Sequence, residues 1–167
     1  MKRFVLIVLV AMLVLSAALM AGSRATAKEN KILEFDSLVG IPPAYTGTQN
    51  PIRGINGGGL PWSIGPSFGE LKANGKLEII VNDLVFAAGP NTGKNTVASF
   101  RAIVSCLRSD GTVENVMTAP FPATVATVID PGGDAKIEAT LVLPQPCIAP
   151  LVFVTSPGGA WFATTGK

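Results

Sequence analysis

The chain has no histidine, only two cysteines and few charged residues, 14% in all. Without histidine there is no Ser-His-Asp or Cys-His constellation, no ordinary zinc site and no histidine-ligated copper. Most secreted hydrolase chemistry is thereby excluded. Lysine and arginine are scattered singly, so the basic stripe that a nucleic-acid partner requires is missing. No carboxylates follow the D-x-D-x-D spacing of a calcium loop, and no internal repeat is visible. The expectation is a protein with no metal, no cofactor and no nucleic-acid partner.

What is present begins with a targeting signal. Met1-Lys2-Arg3 is followed by an apolar run over residues 4–21, broken only by Ser16, and then by Gly22-Ser23-Arg24 and Ala25-Thr26-Ala27. Charge, apolar stretch and small-residue site in that order read as a helical secretory signal peptide over 1–27, cleaved after Ala27. The apolar run of 18 residues touches the lower limit for crossing a bilayer, so an uncleaved signal-anchor is the alternative. Residues 28–167 then form one domain, long enough to bury a core. Of the 13 basic residues, Lys2, Arg3 and Arg24 fall in the signal; the remainder is near neutral despite an alkaline pI of about 8.7 for the whole chain. The positive mean hydropathy of +0.45 is inflated by the same segment. No second apolar run follows that could span a membrane.

The two cysteines, Cys106 and Cys147, belong to a chain read as bound for an oxidising compartment, and the expectation is a disulfide between them. Closing a loop of about 42 residues is worth about 4 kcal/mol in the chain-entropy account. Buried free thiols are the alternative.

Strand signals dominate residues 28–167. Residues 32–38 alternate loosely, and 68–72 and 77–86 flank Asn74-Gly75, a dipeptide suited to positive φ at both centres of a tight hairpin turn. Over 97–107, Ala98, Phe100, Ala102, Val104 and Cys106 share one face, with Ser99, Arg101 and Ser105 on the other. Asp110-Gly111 turns the chain into 113–117. A strand is expected at 124–129 beyond Pro120 and Pro122, and another turn at Pro131-Gly132-Gly133-Asp134. Residues 135–143 put Ile137, Ala139, Leu141 and Leu143 on one face and Lys136, Glu138 and Thr140 on the other. Residues 151–154 are apolar on both faces, as in a central strand, and 161–164 close the series. About eight short strands spaced roughly ten residues apart predict an all-β antiparallel sandwich of immunoglobulin-like size, with a small barrel as the alternative.

Residues 39–66 differ: five prolines and seven glycines forbid a helix and make this an extended loop. Such a long loop is functional, self-packed or disordered, and Ile41, Tyr45, Ile52, Ile55, Leu60 and Trp62 favour packing. Loops on a rigid sheet commonly supply recognition. If the ligand is carbohydrate, Tyr45 and Trp62 are the candidate stacking groups and Arg53 and Asn56 the candidate hydrogen-bonding groups. The glycines at 57–59 let the backbone approach something closely; in the plainer reading Trp62 caps the core while the glycines turn the chain. The terminal Gly158-Gly159-Ala160-Trp161-Phe162 admits the same two readings.

Two further patterns are weaker. Gly89-Pro90-Asn91-Thr92-Gly93-Lys94-Asn95-Thr96 superficially resembles a phosphate-binding loop, but its glycines are one residue too close and Asn95 stands where a Ser or Thr would bind magnesium. It reads as a turn. Glu34 with Asp36, Glu70 with Glu78, and Asp130 with Asp134 are carboxylate pairs of the kind a glycoside hydrolase uses, and each also suits a solvated strand face or a turn.

Asn50-Pro51-Ile52-Arg53-Gly54, the stretch 57–62 and the end from Cys147 through Val154-Thr155-Ser156-Pro157-Gly158-Gly159-Ala160-Trp161-Phe162 resemble a group of small exported bacterial proteins of undefined activity. The resemblance implies bacterial export and carries no activity and no site residue. The expectation is a secreted or envelope-associated, non-catalytic module that works by binding or by structural association, its ligand undefined and a glycan or envelope protein the candidate partner. Its rivals are a histidine-free, carboxylate-dependent glycoside hydrolase and a surface-layer or matrix assembly protein.

Overall fold

Alternating apolar residues build the long strands of this chain, here seen in a computed structural model that describes residues 30–165. The expected signal segment, 1–27, lies outside the described residues. Among these, eight of twelve strands run four residues or more: β1 (Lys31–Phe35), β4 (Phe68–Lys72), β5 (Lys76–Val81), β7 (Ser99–Leu107), β8 (Val113–Met117), β10 (Ala135–Thr140), β11 (Ile148–Thr155) and β12 (Trp161–Thr164). The two-residue strands are β2 (Val39–Gly40), β3 (Trp62–Ser63), β6 (Val85–Phe86) and β9 (Phe121–Pro122).

The strands form two antiparallel sheets, ordered β1-β4-β5-β10 and β2-β12-β11-β7-β8, with a small β3-β6 ribbon and β9 paired to the start of β7. Neither sheet closes on itself, so the architecture is the sandwich and not the barrel. Leu71, Leu77, Ile79, Val81 and Ile137 from the first sheet meet Phe100, Ala102, Val104, Cys106, Val152, Val154 and Phe162 from the second, all buried. Each fully buried Leu, Ile or Phe contributes about 1.5–3 kcal/mol. β11 lies between β12 and β7, and its run from Val152 to Thr155 is buried on both faces, with Val152 and Val154 in the core and Phe153 edge-on to Trp161.

The hairpin at Asn74-Gly75 forms, with Phe68 opposite Ile80 and Leu71 opposite Leu77. Its turn differs from the expected one. Gly75 alone takes positive φ (85°), Gly75 N–H bonds the Lys72 carbonyl, and the Asn74 side chain accepts from the Lys76 N–H. That is a three-residue loop with glycine at the left-handed position. Gly75 is required there on a second count, because an added Cβ would strike the Leu141 carbonyl.

The strand expected over 124–129 does not form. Thr124 N–H bonds Asp134, Ala126 N–H bonds Asn95, and Thr127 N–H closes a turn onto Asp130, so loop carbonyls take the donors that a sheet neighbour would have used. Val128 and Ile129 are left fully exposed at that turn. Asn95 is the strut behind this arrangement. Completely buried, it accepts from Val97 N–H and donates to the Val97 and Thr124 carbonyls, at 2.7–2.9 Å. A buried amide is tolerated only when satisfied in this way.

Residues 39–66 are a packed layer. Ile41, Ile55 and Trp62 are buried, and Gly57 and Gly58 hydrogen-bond Gly47 and Trp161. The glycines do permit close approach, but to the protein itself: a Cβ on Gly57 would hit the Tyr45 carbonyl and the Ile41 side chain, and one on Gly58 the Phe162 ring.

Candidate functional site

Of the four loop residues expected to bind, two are committed to packing. Trp62 is buried, with the rings of Phe86 and Phe162 at centroid distances of 4.0 and 4.1 Å. It is part of the core, and the sugar-stacking role expected of it is corrected on that ground: its faces are occupied. Arg53 donates from Nη1 to the Ser105 carbonyl and from Nη2 to the Ala149 carbonyl, both at 2.8 Å, while its own carbonyl accepts from Asn115. The guanidinium thus pins the loop to β7 and β11 while the Arg53 carbonyl ties it to β8, and partial burial lowers the guanidinium pKa from the ordinary value. Tyr45 is exposed, with its ring edge-on to Trp161, and Asn56 is exposed beside a shallow groove shared with Ile55, Asn115 and Met117.

Replacing Arg53 with alanine should cost about 1–3 kcal/mol, since it removes two charge-assisted hydrogen bonds and leaves the Ser105 carbonyl partly buried while the Ala149 carbonyl turns to solvent. A shift of the denaturant midpoint with an unchanged slope is the expected readout. Unaltered stability would mean that solvent satisfies the two carbonyls equally well.

The carboxylates are arranged differently from the loop residues. Strand register places Glu34 opposite Glu70, Glu70 opposite Glu78, and Glu78 opposite Glu138, a row of four glutamates crossing the outer face of the first sheet. Like charges directly opposite one another are destabilising, so the row needs counter-charges. Lys31 Nζ bridges Glu34 (2.7 Å) and Glu70 (3.0 Å), Lys72 reaches Glu70 (3.3 Å), and Lys136 bridges Glu138 (2.9 Å) and Glu78 (3.6 Å).

Beside this row lies a groove of about 930 Å³, lined by Glu34, Asp36, Glu70 and Glu78 together with Phe68 and Ile80. Phe68 is 52% exposed and sits opposite Ile80, forming an apolar floor between the acids. Sequence reasoning named the four carboxylates and missed Phe68 and Ile80. The signal was present, because Phe68, Glu70 and Lys72 share one face by strand alternation.

Electrostatics tell what these carboxylates can do. Glu70 is held below the ordinary glutamate value of 4.5, chiefly by its hydrogen bond from Lys31, and Glu138 is held below it by Lys136. A general acid needs the opposite shift. Lys31 and Lys136 are raised above 10.5, Lys31 by Glu34 and then Glu70, Lys136 by Glu138.

The sign for stability follows. The depressed glutamates stabilise the fold above about pH 4.5 and lose that contribution as pH falls through their folded values; the raised lysines stabilise below about pH 10.5 and lose theirs above it. The melting temperature should be flat between these limits and fall on both flanks, with added salt shrinking the difference. A thermal scan across pH at two ionic strengths checks this; a maximum centred elsewhere contradicts it.

Asp130 and Asp134 serve turns: Asp130 accepts from Gly132 N–H and Asp134 from Asp83 N–H. The Cys106–Cys147 disulfide is formed and ties the end of β7 to the entry of β11, which fits an oxidising, extracytoplasmic setting. Among the described residues, no helix is long and apolar enough to cross a membrane. No family model, curated protein or solved structure matches the chain.

Proposed function

We propose that this chain is an exported, non-catalytic binding module whose ligand lies in the groove on the outer face of the first sheet. The observation that carries the reading is the glutamate row itself. Four carboxylates kept in register beside an exposed phenylalanine need Lys31, Lys72 and Lys136 to offset their mutual repulsion, and such an arrangement departs from local rules in the way expected mainly where a surface has a task. An apolar floor of Phe68 and Ile80 with a carboxylate rim suits a ligand having an apolar face edged by hydroxyl or cationic donors. Glycans and basic envelope peptides are the two classes that qualify. The signal-like N-terminus and the disulfide support a location outside the cytoplasmic membrane.

The test is a screen of purified protein against soluble glycans, insoluble glycans and basic peptides, repeated with Phe68→Ala. Binding weakened about tenfold or more with an unchanged melting temperature is the expected result, in line with the 1–3 kcal/mol typical of a stacked ring. Binding untouched by Phe68→Ala would remove the groove from the account. A carboxylate hydrolase is the second reading, favoured by the shared lining of the groove by Glu34, Glu70 and Glu78. It requires release of reducing ends that Glu70→Gln abolishes, and the lowered pKa of Glu70 argues against that carboxyl as the proton donor.

A further inference from the structure

The two sheets have four edges between them, and three are protected. β1 carries a register irregularity between Lys31 and Leu33 and an ion pair on its surface. β2 is only two residues long. β10 presents Lys136 and Glu138, and its end is bridged by Ala123. Short length, irregular pairing and charge are the devices by which sheets avoid joining one another.

β8 is a regular five-residue strand whose single charge, Glu114, alternates away from the face that carries Val113, Asn115 and Met117. Its register on β7 runs from Val113 opposite Leu107 to Met117 opposite Ile103. Beyond its ends, Arg108 N–H bonds the Thr112 carbonyl and Thr118 N–H bonds the Ala102 carbonyl. In an antiparallel ladder the bonded residues alternate, so the even-numbered residues of β8 face β7. Val113, Asn115 and Met117 therefore turn their N–H and C=O groups outward, and none of those groups meets a backbone partner among the described residues. The side chains of Val113 and Met117 are 42% and 43% exposed on the same residues.

We infer that β8 pairs with β8 of a second copy of this chain, antiparallel and centred on Asn115, continuing the second sheet across a two-fold axis. The sequence Val113-Glu114-Asn115-Val116-Met117 is self-complementary in that register. Val113 lies opposite Met117 of the other copy, Asn115 opposite Asn115, and Glu114 opposite Val116, so no charge faces its like. Glu114 is also neutralised within its own chain by Arg108 at 2.5 Å. The outward residues of the two copies fall on bonded positions together, which allows about six backbone hydrogen bonds. A two-fold contact of this kind uses the same patch twice and closes as a dimer, so it does not propagate into a fibre. It lies on the opposite sheet from the carboxylate groove and stands independently of the function proposed for that groove.

The test uses protein expressed from the full-length sequence and kept oxidised. Sedimentation across a concentration series should show a monomer–dimer equilibrium. Asn115→Cys should give a disulfide-linked dimer, because residues directly opposite in a bonded pair are about 5.5 Å apart between Cα atoms, inside the reach of a disulfide. Met117→Cys, which faces Val113 of the other copy, should stay uncrosslinked. Val113→Pro removes an outward donor and no bond within the chain, and should weaken association about tenfold or more. If that variant misfolds, Val113→Lys with Met117→Lys takes its place. A monomer at every attainable concentration, a dimer indifferent to these substitutions, or equal cross-linking of both cysteine variants would overturn the proposal.

Discussion

Alanine at Trp62 should destabilise the protein by about 3–5 kcal/mol, the range for removing a buried aromatic whose neighbours cannot collapse into the space. The ring fills the region between the β3-β6 ribbon and the inner face of the second sheet: Phe86 is its partner across the ribbon, and Phe162 stacks on it while touching Phe100 edge-on. Its backbone is equally engaged, with Trp62 N–H bonded to the Ile41 carbonyl and the Trp62 carbonyl so near Gly40 that no Cβ fits there. Relaxation into the void would have to move β2, β3 and β12 together. Trp62→Phe should cost less, because it keeps most of the contact. Chemical denaturation followed by circular dichroism measures both. Stability within about 0.5 kcal/mol of the parent, the usual range for a surface change, would mean that the ring is a surface platform after all.

Removing the disulfide should have a comparable effect by another route. With a sequence separation of 41, the Cys106–Cys147 bond encloses β8, β9 and β10 and ties β7 to the entry of β11, its neighbour in the second sheet. Its loss restores loop entropy to the unfolded chain, about 4 kcal/mol for a loop of this length. Cys106→Ala with Cys147→Ala should lower the melting temperature by roughly 10–20 °C for a domain of this size. The reduced parent protein should fall by slightly less than the double variant, since its buried Cys106 sulfur still packs the core that alanine leaves unfilled. A melting temperature unchanged by both treatments would show that the enclosed loop is already ordered in the unfolded ensemble.

These two predictions mark the boundary between local and non-local information. β7 and β10 were legible because alternation along one strand reports directly which side chains are buried: Phe100, Ala102, Val104 and Cys106 on one, Ile137 on the other. The turn after Lys72 was legible as a turn but not in its geometry, since a three-residue loop and a two-residue loop both accept Asn-Gly. Residues 124–129 misled for the same local reason. Val125, Val128 and Ile129 have strand propensity, yet the carbonyls of Asp134 and Asn95 were nearer partners than any neighbouring strand. The candidate site divides likewise. Glu34, Asp36, Glu70 and Glu78 were named as pairs, but their assembly into one row depends on β1 pairing with β4 and on β5 pairing with both β4 and β10.

By itself, then, the sequence determined an all-β chain with one disulfide, no histidine chemistry and a single packed core, because composition and period-two alternation act within a few residues of one another. Only the tertiary structure decided that Arg53 clamps three strands, that Trp62 belongs to the interior, that four glutamates share a row beside Phe68, and that the outer edge of β8 has no strand beside it among the described residues. Each of those outcomes depends on which strand pairs with which and in what register, and that is set by contacts between segments tens of residues apart whose free energies no local pattern reports.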